Sequence, residues 1–294
     1  MLGPIVAITM TVSDLKPIEA AYSNYLGYKV IERGQVAGDL ANMWGAPKVA
    51  GHAYITMQPE SGADCFLRFV VVDEYKDYKT LHTYGWNSTE ILVKDVDAVN
   101  EKLKGSPFRV VGAPRGLSSN ENIKAMQVIG PAKELLYLTM IKDEAIGLGT
   151  AKTFVDRPFI VINGGRTMDG LIAFYRDTLK AKVSNPQPVR LSALNAVRGF
   201  DSELKHPLAT VDVGGPFLIE IDQYPEGTVD RVVRPGDLPP GTAIVTFETP
   251  SLSALPVPMV AGTVIGQGRP YNGRKAGVFR GPSGELHEVI EAPN

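Results

Sequence analysis

The sequence predicts an α+β protein of four βαβββ modules, paired into two tandem curved-sheet clefts. Three observations carry this. A strand–helix–strand–strand–strand order of hydrophobic periodicity recurs four times along the 294 residues. The helix segment Ala20–Leu26 of the first repeat lies over Ala173–Leu179 of the third, and His52 lies over His206, each leading into strand–turn–strand. The second and fourth repeats share a turn before their last strand, Gly130-Pro131-Ala132-Lys133 and Gly281-Pro282-Ser283-Gly284.

The first module covers about residues 4–72. Residues 5–12 have the β-branched richness of a strand, and Asp14 follows at an N-cap position. Ile18, Ala21, Tyr22 and Tyr25 recur at helical spacing until Gly27 stops the helix. Strands are expected over 29–36, 52–59 and 65–72, with an irregular insertion at 37–51 that contains Trp44. After a polar connector at 73–84, the second module (about 85–142) opens at Gly85-Trp86. Its helix starts at Asp95 with Val96, Val99 and Leu103 on one face, and strands follow over 108–111, 123–129 and 134–141.

The third module (about 156–225) starts at Arg157, and its helix carries Leu171, Phe174, Tyr175 and Leu179 on one face. Its last strands are 206–213 and 217–222, joined by Gly214-Gly215. A proline-rich linker, 225–240, leads to the fourth module (about 241–292), whose helix position carries Pro256 and Pro258 and is therefore weak. One helix covers one face of a four-stranded sheet and leaves the other open. Pairing consecutive modules gives clefts within 1–145 and 155–294. Pairing between two chains, as a homodimer, is the alternative.

Composition narrows the partners. A net charge of −2 with acidic and basic residues mixed gives no basic stripe for nucleic acid. No apolar run approaches the roughly 18 residues of a membrane span, and no secretory signal is visible. Cys65 is the one cysteine, so no disulfide forms within the chain, and a cytoplasmic setting is expected. No glycine-rich segment has the strand–helix context of a phosphate-binding loop. The expected partner is a small molecule.

The motifs Thr11-Val12-Ser13-Asp14-Leu15 to Gly27, Gly85-Trp86 to Asp97, and Gly281-Pro282-Ser283-Gly284-Glu285-Leu286-His287-Glu288 resemble the vicinal oxygen chelate superfamily, over nearly the whole chain. That superfamily holds glyoxalase I, bleomycin-resistance proteins and extradiol dioxygenases. The resemblance implies metal ligands on first strands (usually His, Gln or Glu) and on last strands (usually Glu). The first-strand positions fall on Ala7, Ser88, Phe159 or Ile160, and Thr242. The last-strand positions fall on Phe69, Tyr137, Glu220 and Glu288. None is histidine, so Glu220 and Glu288 are the metal candidates at these positions, with Glu90 as a substitute-ligand candidate in the first cleft, and extradiol ring cleavage is not expected.

Glu220 and Glu288 are expected to face each other in one cleft, where facing carboxylates can share a proton and one can act as general base. The competing reading pairs one of them with an arginine such as Arg274. Glu90, two residues beyond Ser88 on the same strand face, is a third catalytic candidate. Trp44, His52, Trp86, Ser88 and Tyr137 are candidate ligand contacts, while His82 and His287 are expected at the surface. The resemblance implies a small-molecule enzyme, a lyase or isomerase acting on a carbonyl or aromatic compound. The alternative is a non-catalytic binding protein of the bleomycin-resistance type.

Overall fold

The computed structural model describes residues 2–117 and 120–293. The first module comprises β1 (Ile5–Val12), α1 (Leu15–Leu26), β2 (Lys29–Gln35), α2 (Gly38–Met43), β3 (Ala53–Gln58) and β4 (Phe66–Val71). The second comprises β5 (Gly85–Val93), α3 (Val96–Lys102), β6 (Arg109–Leu117), β7 (Asn120–Ile129) and β8 (Leu135–Ile141). The third comprises β9 (Val155–Gly165), α4 (Met168–Ile172, continuing as a π-helix over Ala173–Thr178), β10 (Lys182–Val183), β11 (Gln187–Val189), α5 (Ser192–Arg198), β12 (His206–Asp212) and β13 (Leu218–Gln223). The fourth comprises β14 (Thr242–Thr249), β15 (Val264–Ile265), β16 (Lys275–Arg280) and β17 (Leu286–Glu291).

Local chemistry sets the helix ends. Asp14 accepts from the Lys16 amide, and Asp95 from the amides of Asp97 and Ala98. Gly27 closes α1 at φ 72°, a conformation open to glycine at no steric cost. In the fourth module the helix shrinks to one 3₁₀ turn, Leu252–Ala254, as its prolines require. No helix among the described residues is long and apolar enough to cross a membrane.

Pairing of the modules departs from chain order. One sheet runs β15-β16-β17-β14-β1-β4-β3-β2, uniting the first module with the fourth; the other runs β10-β12-β13-β9-β5-β8-β7-β6, uniting the second with the third. The division into clefts at 1–145 and 155–294 is therefore corrected: each sheet draws on both halves of the chain. Adjacent repeats carry no pairing preference in their periodicity, and docking of the two crossing segments expresses the choice. The 73–84 connector and the proline-rich linker lie together, with Thr83 bridged to Val229. Arg231 donates to Thr83 Oγ1 and to the carbonyls of Trp86 and Thr242, and the Arg234 guanidinium sits 3.9 Å over the Tyr75 ring.

The sheets stand back to back. One apolar core joins their facing sides and takes in Tyr22, Leu26, Phe69, Trp86, Val161, Tyr175, Ile219 and Phe247. The outward, concave faces are the two clefts. In the sheet of modules one and four, the 37–51 insertion packs Ala41, Met43, Trp44 and Val49 onto Val70, Ile244, Val278 and Ile290. In the sheet of modules two and three, α5 covers one end of the concave face with Leu194 against Leu135, Tyr137 and Tyr224.

Candidate functional site

The two concave faces hold equivalent positions with opposite contents. In the first, Ala7 pairs with Thr246, and Thr246 with Glu288; Thr9 pairs with Arg68. In the second, Ser88 pairs with Ile162, and Ile162 with Glu220; Glu90 pairs with Tyr137. Partners across a ladder point to the same side of a sheet, so each set shares one cleft.

The first cleft is filled by the protein itself. Oε1 of Glu288 accepts from Trp44 Nε1 at 2.7 Å and the Tyr271 hydroxyl at 2.6 Å. Its Oε2 accepts from Arg68 Nη2 at 2.9 Å and the Thr246 hydroxyl at 2.5 Å. Arg68 spends its other donors on Thr9 Oγ1 and the Tyr271 hydroxyl and lies 4.7 Å over the Trp44 ring. Burial works against the arginine's charge, but Tyr271 and Glu288 outweigh it and raise its pKa above the usual guanidinium value. A carboxylate with four donors and a paired cation has no lone pair directed at a substrate.

The second cleft has the acids without the cation. Glu90, Glu220 and Asp222 share its floor with Tyr137, Thr139 and Ser88. Burial pushes Glu90 up to about 7, against a hydrogen bond from Thr139 at 3.0 Å that favours its charged form. Glu220 is raised well above the carboxylate range by burial first, then by the charges of Asp222 and Glu90. Asp222 is raised likewise, by burial first and then by the charge of Glu90. No basic group is among the causes of these three shifts.

The surroundings are apolar. Leu92, Ile141, Ile160 and Ile162 line one end with Tyr137, and α5 and Tyr224 the other. Gly164 permits the second wall, because a Cβ there would overlap the Tyr224 ring. Across β7–β8, Gln127 pairs with Tyr137 and Ala125 with Thr139. Gln127 and Ala125 also line a surface cavity of about 460 Å³ between β6 and the β11–α5 segment.

No protein-family model matches the sequence, and no curated protein matches it. Solved structures do match. Glyoxalase I from Zea mays superposes with a TM-score of 0.64 at 13% identity, covering 98% of this chain and 92% of that one. A candidate dioxygenase from Bacillus subtilis superposes at 0.62 and 12% identity, covering 100% of this chain and 86% of that one. The chain has the vicinal oxygen chelate fold.

The metal that this fold suggests does not fit the residues present. In the first cleft Arg68 already supplies the positive charge to Glu288. Among the described residues, no three His, Cys, Asp or Glu side chains form a group that could hold a metal ion. The second cleft offers no imidazole beside its carboxylates.

Within the vicinal oxygen chelate fold the other sequence expectations divide. Glu220 and Glu288 do not face each other: they lie on different sheets, because module pairing separates them. The arginine that meets Glu288 is Arg68, whereas Arg274 pairs with Glu248. The last-strand position of the first module is Arg68, not Phe69. Phe69 turns to the inter-sheet core, 4.8 Å from Tyr22, and a slip of one residue exchanges faces. Ala7, Ser88, Ile160, Tyr137, Glu90, Glu220 and Glu288 do line the clefts.

Trp44 enters the first cleft as a structural donor. Trp86 misses both clefts: a bulge between Trp86 and Ser88 turns it into the inter-sheet core, where it bonds the Leu286 carbonyl. His52 Nδ1 lies 2.8 Å from the Val71 carbonyl, and His206 Nε2 lies 2.8 Å from Asn195 Oδ1. His82 sits against the Thr80 carbonyl, half-buried. His287, expected at the surface, is fully buried, stacked 4.7 Å from Phe279, with burial pressing its pKa down to about 3. Cys65 is buried, its thiol pushed up to about 12 by desolvation.

Asp222 is the residue of the candidate site that sequence reasoning passed over. Asp222 carried a usable signal: it stands two residues beyond Glu220 on one strand face, as Glu90 does beyond Ser88.

Proposed function

We propose that this protein is a small-molecule enzyme working through the second cleft, a lyase or isomerase that moves a proton on a carbonyl or aromatic compound. The supporting observation is Glu90, a carboxyl held at about 7 by burial beside two further raised carboxyls and inside apolar walls. A general base works best with a pKa near the operating pH. Glu90 takes the proton from carbon, Thr139 steadies the resulting charge distribution through its hydroxyl, and the Tyr137 hydroxyl donates to the developing oxyanion. Glyoxalase I is the named activity of one structural neighbour.

The second reading is non-catalytic binding of the bleomycin-resistance type, favoured by the apolar enclosure of the cleft. Hydrogen–deuterium exchange at carbon separates the two. Small aldehydes, 2-hydroxyketones and aryl ketones are incubated with protein in D2O and followed by NMR. Exchange present in the wild type and lost in Glu90→Gln supports the enzyme. Saturable binding without exchange supports the binding protein. Exchange that survives Glu90→Gln contradicts the assignment of the base.

A further inference from the structure

The equivalence of the two clefts identifies what the second one lacks. The row Ala7–Thr246–Glu288 in one sheet matches Ser88–Ile162–Glu220 in the other, and the pair Thr9–Arg68 matches Glu90–Tyr137. Glu288 has its cation built in. At the equivalent of Arg68 the second cleft has Tyr137, and at the equivalent of Thr246 it has Ile162, so Glu220 loses both donors.

Two further atoms point to an external partner. Asp222 Oδ1 and Ser88 Oγ have no hydrogen-bond partner, and their residues are 2% and 1% exposed. Such atoms are costly when left unpaired. Ser88 lies on the same face as Glu90 and Glu220, so its unpaired hydroxyl belongs to the same cleft as the carboxyls. The groups facing them are Glu90 from β5, Tyr137 and Thr139 from β8, Gln127 from β7, Thr210 from β12, Tyr224 after β13, and Leu194 from α5; Arg115 and Arg190 line the adjoining cavity beyond Gln127, Arg190 paired with Glu203, and neither is among the causes of the carboxyl shifts.

We propose that the second cleft binds a small organic cation, an ammonium or guanidinium group on an apolar body, seated where the Arg68 guanidinium sits in the first cleft. This rests on the reading of the second cleft as the ligand site and names its substrate class: a carbonyl or aromatic compound carrying a cationic nitrogen. The protein's own first cleft is the template, with a guanidinium against a carboxylate and two hydroxyls under an aromatic ring. Bound cation favours the ionised carboxyls, so binding releases protons near neutral pH and tightens as pH rises.

The test compares benzamidine with its neutral isostere benzamide by calorimetry in two buffers of different ionisation enthalpy, with NMR mapping of the cleft. The expected result is one benzamidine per chain, bound at least about tenfold more tightly than benzamide, with net proton release. Glu220→Gln lowers benzamidine affinity about tenfold and leaves benzamide unchanged. The amide is nearly isosteric with the carboxyl it replaces; Asp222→Asn is the second variant, with circular dichroism confirming the fold of each. Equal affinities, or benzamidine binding insensitive to both variants, overturn the proposal. So does Mn2+ binding one per chain at these residues, which assigns the place to a metal. If both probes shift Tyr137 and Leu194 signals equally, the cleft reading stands and the cation is wrong. If neither probe shifts them, the cleft reading fails as well.

Discussion

Nη2 of Arg68 lies 2.9 Å from Oε2 of Glu288, in a site where the arginine is 2% exposed and the glutamate not at all. This pair closes the first cleft, and the proposed site lies in the second for that reason. A buried pair is worth less than its Coulomb attraction suggests, because both ions were desolvated, but removing one partner strands the other. Arg68→Met is therefore expected to cost about 3–5 kcal/mol in urea denaturation. The double variant Arg68→Met/Glu288→Gln is expected to be more stable than the single one. A double variant no more stable than Arg68→Met would show that the arginine acts through packing alone.

Trp44 belongs to the same closure. Trp44→Phe keeps a ring beneath the Arg68 guanidinium and deletes the Nε1 donor to Glu288. A loss of about 1–3 kcal/mol is expected, the cost of an unsatisfied buried acceptor. Ligand affinity should be unchanged, since no Trp44 contact reaches the second cleft. A large affinity loss in a folded Trp44→Phe protein would relocate the site.

Carboxyls with raised pKa, Glu220 and Asp222 among them, make stability depend on pH. Glu90, Glu134 and Glu285 are each pushed up to about 7 by burial, from an ordinary 4.5. Their folded pKa is raised, so the unfolded chain ionises first. Stability is fully present below about 4.5 and declines as pH rises from there to about 7. His287 acts oppositely: held near 3 in the fold, it lowers stability as pH falls from 6.5. Glu134→Gln removes one declining contribution, so its stability relative to wild type should rise between pH 5 and 8. Parallel profiles for the two proteins would contradict the shift assigned to Glu134.

The turn glycines make those glutamates possible. A Cβ on Gly130 would overlap Glu134 Oε1, and one on Gly281 would overlap Glu285 Oε1. Each side chain folds back over its own turn; Glu134 then accepts from Tyr22, and Glu285 from Asn163. Gly130→Ala should cost about 1–3 kcal/mol, as overpacking typically does. It should cost less in the Glu134→Ala background, which denaturation of the four proteins would reveal.

Much of this fold was legible in the sequence because strand and helix periodicities differ and repeat. Asp14, Gly27, Asp95 and the two Gly-Pro turns marked element ends by local chemistry, and they stand where expected. Module pairing was not legible, because it depends on how Tyr75, Arg231 and Arg234 dock two crossings distant in sequence. Face assignments failed where the ladder is irregular or the strand uniformly buried. Trp86 follows a bulge, and Phe66–Val71 offers no alternation by which to choose between Arg68 and Phe69. His287 looked exposed because it stands on the strand face opposite Glu288; burial of β17 from both sides overrode that signal. Glu90, Glu220 and Glu288 were found as cleft residues, but which of them share a cleft required the sheet order.

The most direct test of an acid cleft without its cation is the titration of carboxyl carbons in protein labelled with ¹³C at glutamate side chains. The resonance lost in Glu90→Gln should titrate with a midpoint near 7 in the free wild-type protein, and that midpoint should move down when benzamidine is bound. A midpoint for that resonance in the ordinary range near 4.5, unmoved by benzamidine, would contradict the account.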